Sequence, residues 1–106
     1  MNKTILHINT ADNRKTLVSL KVSGKKYEES QPSADSWASQ NLLPLIVKIL
    51  RKHKKSLSDI DGIEVFCGPG SFTGLRVGTA VANMLGKMLD IPVNGKKDTQ
   101  STPVYG

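Results

Sequence analysis

The segment Gly68-Pro69-Gly70-Ser71-Phe72-Thr73-Gly74-Leu75-Arg76 concentrates glycines, hydroxyls and a cation, the residue types from which anion sites are built. It lacks the Gly-Lys-Ser/Thr ending of a nucleotide-binding P-loop. Its third glycine falls one residue late for a dinucleotide fingerprint, and Pro69 and Thr73 stand where glycines would flank a nucleophilic Ser71. The order strand, glycine loop, helix start remains, and there backbone N–H groups and the helix dipole can hold an anion. Gly68, Pro69, Gly70, Ser71, Phe72, Thr73, Gly74 and Arg76 are therefore the candidate anion-binding loop. The competing reading is that Ser71 or Thr73 only caps the helix.

Other chemistry is sparse. His7 and His53 have no second histidine at ligand spacing, and Cys67 stands alone, so no metal site and no disulfide are expected. Asp12, Asp35, Asp59, Asp61, Asp90 and Asp98 are scattered, and no nucleophile, base and orienter assemble. No catalytic residue and no cofactor is assigned.

These residues must be held by a small scaffold. The chain has 106 residues, which suits one domain, and with 5% aromatics its core must come from Leu, Ile, Val and Ala. No apolar run reaches a membrane span, and no leader pattern is seen. With one cysteine, a reducing, cytoplasmic setting is the expectation. The net charge of +6 arises largely from Lys25-Lys26, Arg51-Lys52-His53-Lys54-Lys55 and Lys96-Lys97. Such runs suit a solvated surface, a nucleic acid or an acidic partner, and no aromatic residue interleaves them in the sequence.

Thr4–Asn9 reads as a buried strand and Thr16–Ser23 as a half-buried one, by its alternation of Val18, Leu20 and Val22 with polar residues. Ser23-Gly24-Lys25 predicts a tight turn and Lys26–Ser30 a polar edge strand. A helix is expected over Ser36–His53, capped by Ser36 and kinked at Pro44, or starting late at Asn41. Leu57–Asp61 is a connector with Ser58 as a cap, Ile63–Cys67 a strand, Thr73–Leu89 a second helix and Ile91–Asn94 a last short strand. Residues 1–95 form the domain, and 96–106 read as a disordered tail. The order βββαβαβ predicts an α/β fold with a mixed five-stranded sheet and two main helices.

Both helices suggest more than core. Gly74, Gly78, Ala82 and Gly86 recur every fourth residue on one face, which implies close approach by another backbone, either a partner helix or the domain's own sheet. In the first helix, apolar residues spread over about 200° of the wheel where a one-sided helix shows nearer 100°. Leu42, Leu45 and Ile49 are expected as the surplus face. Together the two faces predict docking onto a partner.

The run Gly68–Gly78 resembles the signature of the TsaB (YeaZ) family. Leu42-Leu43-Pro44-Leu45-Ile46, Leu57-Ser58-Asp59-Ile60-Asp61-Gly62-Ile63 and Ile5-Leu6-His7-Ile8-Asn9-Thr10 match its pattern in order, so the resemblance covers about residues 4–95. It implies an actin-like, ribonuclease-H-type lobe. It further implies a non-catalytic scaffold that binds TsaD, the subunit that installs threonylcarbamoyl on the adenosine beside the anticodon of tRNA. The family's complex recruits the ATPase TsaE. On that reading tRNA is met only through the complex; the apolar helix faces, and not the resemblance, predict that the chain pairs with itself when alone, and no membrane contact is expected.

Three departures qualify the resemblance. Asn9 replaces the usual acid of the first loop, which would hold a metal through oxygen. Ser39-Gln40 stands where a His-Ser or similar pair is common. The second lobe of the family's longer chains has no counterpart here. The alternatives are a small actin-fold nucleotide-binding phosphotransferase or hydrolase, against which Asn9 argues, and a basic RNA-binding module, against which the lack of interleaved aromatics argues.

Overall fold

A computed structural model describes residues 3–12, 15–32 and 38–95. Strands β1 (Thr4–Asn9), β2 (Lys15–Val22) and β3 (Lys25–Pro32) form an antiparallel meander. Helix α1 (Ala38–Lys52) then crosses over to β4 (Gly62–Val65), which lies parallel to β1, and α2 (Phe72–Leu89) follows. The sheet order is β3-β2-β1-β4.

The β2–β3 turn follows from two residues. Ser23 and Gly24 both take positive φ, 52° and 87°, the geometry whose twist matches paired strands. It sets a ladder from Val22–Lys25 to Lys15–Pro32, so β3 runs longer than the expected edge strand.

Alternation decides which sheet face is covered. Leu6 pairs with Leu20 and Ile8 with Val18 on the face under the helices, and all four are fully buried. The opposite face shows Ile5, His7 and Asn9, which are half-buried. On it burial pushes the His7 imidazole below the ordinary histidine range, opposed by the Glu64 charge beside it and assisted by Lys26. Helices α1 and α2 touch each other, with α1 over β2 and β3 and α2 over β4 and β1, so both lie on one face of the sheet.

Helix α1 continues through Pro44, in spite of the backbone hydrogen bond that a proline removes. It begins at Ala38, so Asn41 is inside the helix and not its cap; Ser36 lies outside the described residues. The cap at the following 3-10 turn is Ser56, not Ser58. The Asp59 carboxylate accepts the Ser56 N–H at 2.7 Å and its hydroxyl at 3.1 Å, and these bonds hold its pKa below the usual carboxylate range.

The sheet has four strands among the described residues where five were expected. The segment after α2 makes a single parallel bridge, Val93 to Ile63. A side chain does the rest. Asn94 Oδ1 accepts the Val65 N–H at 2.8 Å and Asn94 Nδ2 donates to the Val65 carbonyl at 3.1 Å, as a neighbouring strand would. Asn94 can do so because its own backbone turns away at φ 51°, a left-handed conformation that asparagine tolerates. Asn94→Ala will therefore strip both bonds from Val65 and strain the turn, costing about 1–3 kcal/mol in urea unfolding. Asn94→Asp, which keeps the acceptor but loses the donor, will recover only part of it.

The expected tail, 96–106, including Lys96-Lys97, lies outside the described residues.

Candidate functional site

The parallel pair β1 and β4 ends at one edge of the sheet, where the loops after each strand meet the start of α2. In open α/β sheets ligands collect outside the carboxyl ends of parallel strands, so the glycine loop stands where sequence reasoning placed it. Two of its N–H groups, however, are spent within the chain. The Ser71 N–H donates to the Ala11 carbonyl at 2.7 Å, and the Gly74 N–H donates to Ser71 Oγ at 3.3 Å. Ser71 is the N-cap, so of the two readings of this hydroxyl the capping one holds.

The two loops touch. A Cβ on Gly70 would sit 2.5 Å from that of Ala11 and 2.9 Å from its carbonyl oxygen, so glycine is required by contact. Asn9 Oδ1 accepts the Ala11 N–H at 3.0 Å, closing the turn out of β1, so Asn9 works as a turn residue. Gly68 has φ 124°, and the Gly68–Pro69 peptide is cis. Thr73, Phe72 and Arg76 point outward; the Arg76 guanidinium lies 5.5 Å above the Phe72 ring, and Phe72 is 55% exposed. Among the described residues no three His, Cys, Asp or Glu side chains gather to hold a metal.

The expected partner face is overturned. Leu42, Leu45 and Ile49 are no more than 1% exposed, and they form the core with Ile46 and Leu50. The reason is that α1 lies in the angle between the sheet and α2, so a broad apolar arc is buried on two sides.

The glycine line also faces inward. A Cβ on Gly74 would strike the Thr10 carbonyl oxygen, one on Gly78 would strike Thr10 Oγ1, and one on Gly86 would strike Val93. Ala82 is fully buried within the core. The close approach is between α2 and the chain's own β1 end and Val93 segment. Thr10 Oγ1 donates to the Gly74 carbonyl at 2.5 Å across that contact.

What the two helices show outward was missed. On α1 it is Leu43 and Val47, 39% and 38% exposed, and on α2 Met84 and Met88, 45% and 65% exposed. Each pair is four residues apart and so shares a face. Val77 and Val81 are only partly buried against the core. Leu43, Pro44 and Val47 continue into Lys48, Arg51 and Lys52 along an open groove. The signal was in the sequence: positions 42, 45, 46, 49 and 50 form one stripe, and 43 and 47 fall outside it.

Known proteins share this architecture. A family model described as "TsaD: tRNA N6-adenosine threonylcarbamoyltransferase" matches residues 32–100. The chain is 43% identical over 56 residues to an uncharacterized protein of Mycobacterium leprae (strain TN), covering 53% of this chain and 16% of that one. It is 39% identical over 57 residues to the tRNA threonylcarbamoyladenosine biosynthesis protein TsaB of Escherichia coli (strain K12), covering 54% of this chain and 25% of that one. The solved structure of YeaZ from Pseudomonas aeruginosa superposes with a TM-score of 0.79 and 30% identity, covering 86% of this chain and 42% of that one. The matches thus span a quarter or less of these curated relatives and about two fifths of the solved one. No helix among the described residues is long and apolar enough to cross a membrane.

Proposed function

The chain belongs to the TsaD family, on its TsaB/YeaZ side, and we propose that it serves tRNA threonylcarbamoyladenosine biosynthesis as a non-catalytic scaffold for a TsaD-like subunit. The observation that carries the reading is the outward face of the two helices. Leu43 and Val47 on α1 and Met84 and Met88 on α2 leave apolar side chains exposed to solvent. An exposed apolar pair on each helix suits a protein–protein contact, and methionine suits one because it adapts to what it meets. The proposal keeps the two helices named from the sequence and turns each about its axis, so that the docking residues are those the core leaves outside.

A scaffold role also suits the glycine loop. Its Ser71 and Gly74 N–H groups are tied to Ala11 and to the cap, and Asn9 offers an amide where a metal-binding acid would stand. In this reading the TsaE-like ATPase joins only the assembled complex, and two copies of the chain pair through the same helix faces when the partner is absent.

The test is co-purification with the TsaD homologue of the same organism, together with ATP turnover and tRNA modification by the chain alone. The expected result is a stable complex and no turnover without the partner. ATP hydrolysis by the isolated chain that disappears in Ser71→Ala or Thr73→Ala would replace the scaffold with the nucleotide-hydrolase alternative.

A further inference from the structure

The fold assembles a basic surface with an aromatic centre that is invisible in the sequence. Helix α1 ends over the edge strand β3, and there the ring of His53 lies 4.0 Å from that of Tyr27, centroid to centroid, tilted by 35°. Tyr27 pairs with Leu20, so it stands on the helix side of the sheet, with Lys25 two residues before it on the same side. Around the ring pair stand Lys25 from the hairpin and Arg51, Lys52, Lys54 and Lys55 from the helix end, while Lys26 points to the other face of the sheet. All but Lys55, which is half-buried, are exposed. Two acids lie near: Glu28, on the other face of β3, is 3.8 Å from the Lys26 ammonium, and Asp59 feels Lys55 but is already bonded to Ser56.

The helix end does not need all these cations. A dipole terminus amounts to about half a charge, and its carbonyls are served by the backbone. The Lys55 N–H bonds the Leu50 carbonyl at 2.8 Å and the Lys54 N–H bonds that of Arg51 at 3.1 Å, a Schellman closure. The position that closure usually gives to glycine is held by Lys54 at φ 56°. A cation thus occupies a backbone conformation that favours glycine, in the middle of the patch.

We propose that this surface binds an RNA strand, with phosphates on Lys25, Arg51 and Lys54 and an unpaired base on the Tyr27–His53 ring pair. Cations alone would suit any polyanion; rings set among them suit a chain that alternates charge with flat faces. The choice of RNA rests on the tRNA-modification reading, whereas the site requires neither the TsaD-like partner nor the outer faces of Leu43 and Met84. The two proposals therefore fail in separate assays.

The experiment is fluorescence anisotropy of the chain with a uridine oligomer about 15 nucleotides long, beside a polyglutamate peptide of matching charge. The oligomer is expected to bind at about 50 mM salt and to weaken as salt rises. Neutralising Arg51→Gln and Lys54→Gln together should make the salt dependence shallower by about 0.7 per lost phosphate contact. Tyr27→Leu should weaken binding about tenfold or more, while Tyr27→Phe, which keeps the ring, should not. Thermal melts establish that each variant is folded, and the Arg51 and Lys54 changes, at exposed positions, decide the matter should Tyr27→Leu not fold. Absence of oligomer binding overturns the proposal. So does polyglutamate binding of equal strength that is indifferent to Tyr27→Leu, which would assign the patch to an acidic protein.

Discussion

Gly78→Ala will destabilise the fold by about 1–3 kcal/mol, although it adds one methyl group and improves helix propensity. At an open helix site the same change gains up to about 1 kcal/mol. Here the new Cβ would strike Thr10 Oγ1 and lie 3.6 Å from Ile8 Cγ2. Neither can yield cheaply. Ile8 is fully buried in the core, and Thr10 Oγ1 is fixed by its bond to the Gly74 carbonyl. To make room, either α2 moves off β1, at about 1–3 kcal/mol for overpacking, or Thr10 swings away and leaves buried polar groups unpaired, at a similar cost. Against a total stability of about 5–15 kcal/mol for a domain, either is severe. The urea midpoint should fall sharply with little change in slope.

A double-mutant cycle tells this cause from a general intolerance of the helix. Thr10→Ala removes the hydroxyl that the new methyl strikes. The pair Thr10→Ala with Gly78→Ala should therefore cost less than the sum of the singles by about 0.5–3 kcal/mol, the range for residues in contact. Strict additivity would mean that the glycine is required for some other reason.

The glycine line shows how far the sequence was legible. A repeat of small residues every fourth position says that something comes close, and it does. It does not say what. The contact is to Thr10, 64 residues away in the chain, and nothing in the local pattern separates a partner's helix from the chain's own strand. The first helix was more readable than the reading made of it. Leu42, Leu45, Ile46, Ile49 and Leu50 follow the three-and-four spacing of a single stripe, and the breadth of the apolar arc came from Leu43 and Val47 lying outside it. Local signals held where the cause is local: the Ser23-Gly24 turn, the α2 cap at Ser71, the alternation in β2. They were silent where a side chain replaces backbone, as Asn94 does along β4, and where tertiary packing joins residues far apart, as with Tyr27 and His53.

The helix faces can be tested directly, because the residues that would dock are not those that hold the fold. Val47→Glu and Met84→Glu each place a charge on a side chain that is 38% and 45% exposed in the chain alone. Solvent accommodates that charge, so stability should stay within about 0.5 kcal/mol of the parent. In a complex buried over these helices the carboxylate would be taken from water without a partner. Capture of the TsaD homologue should then weaken about a hundredfold or more, the scale of losing a central contact of some 2–4 kcal/mol. Leu45→Ala is the reciprocal control. Leu45 is 1% exposed within the core, so its truncation should cost about 2–5 kcal/mol of stability while the folded fraction still binds. The two classes of variant thus move opposite readouts. If Val47→Glu and Met84→Glu are both captured as strongly as the parent, the partner does not sit on the outer helix faces. If Leu45→Ala alone abolished capture without lowering the melting temperature, the inward assignment of that side chain would itself be wrong.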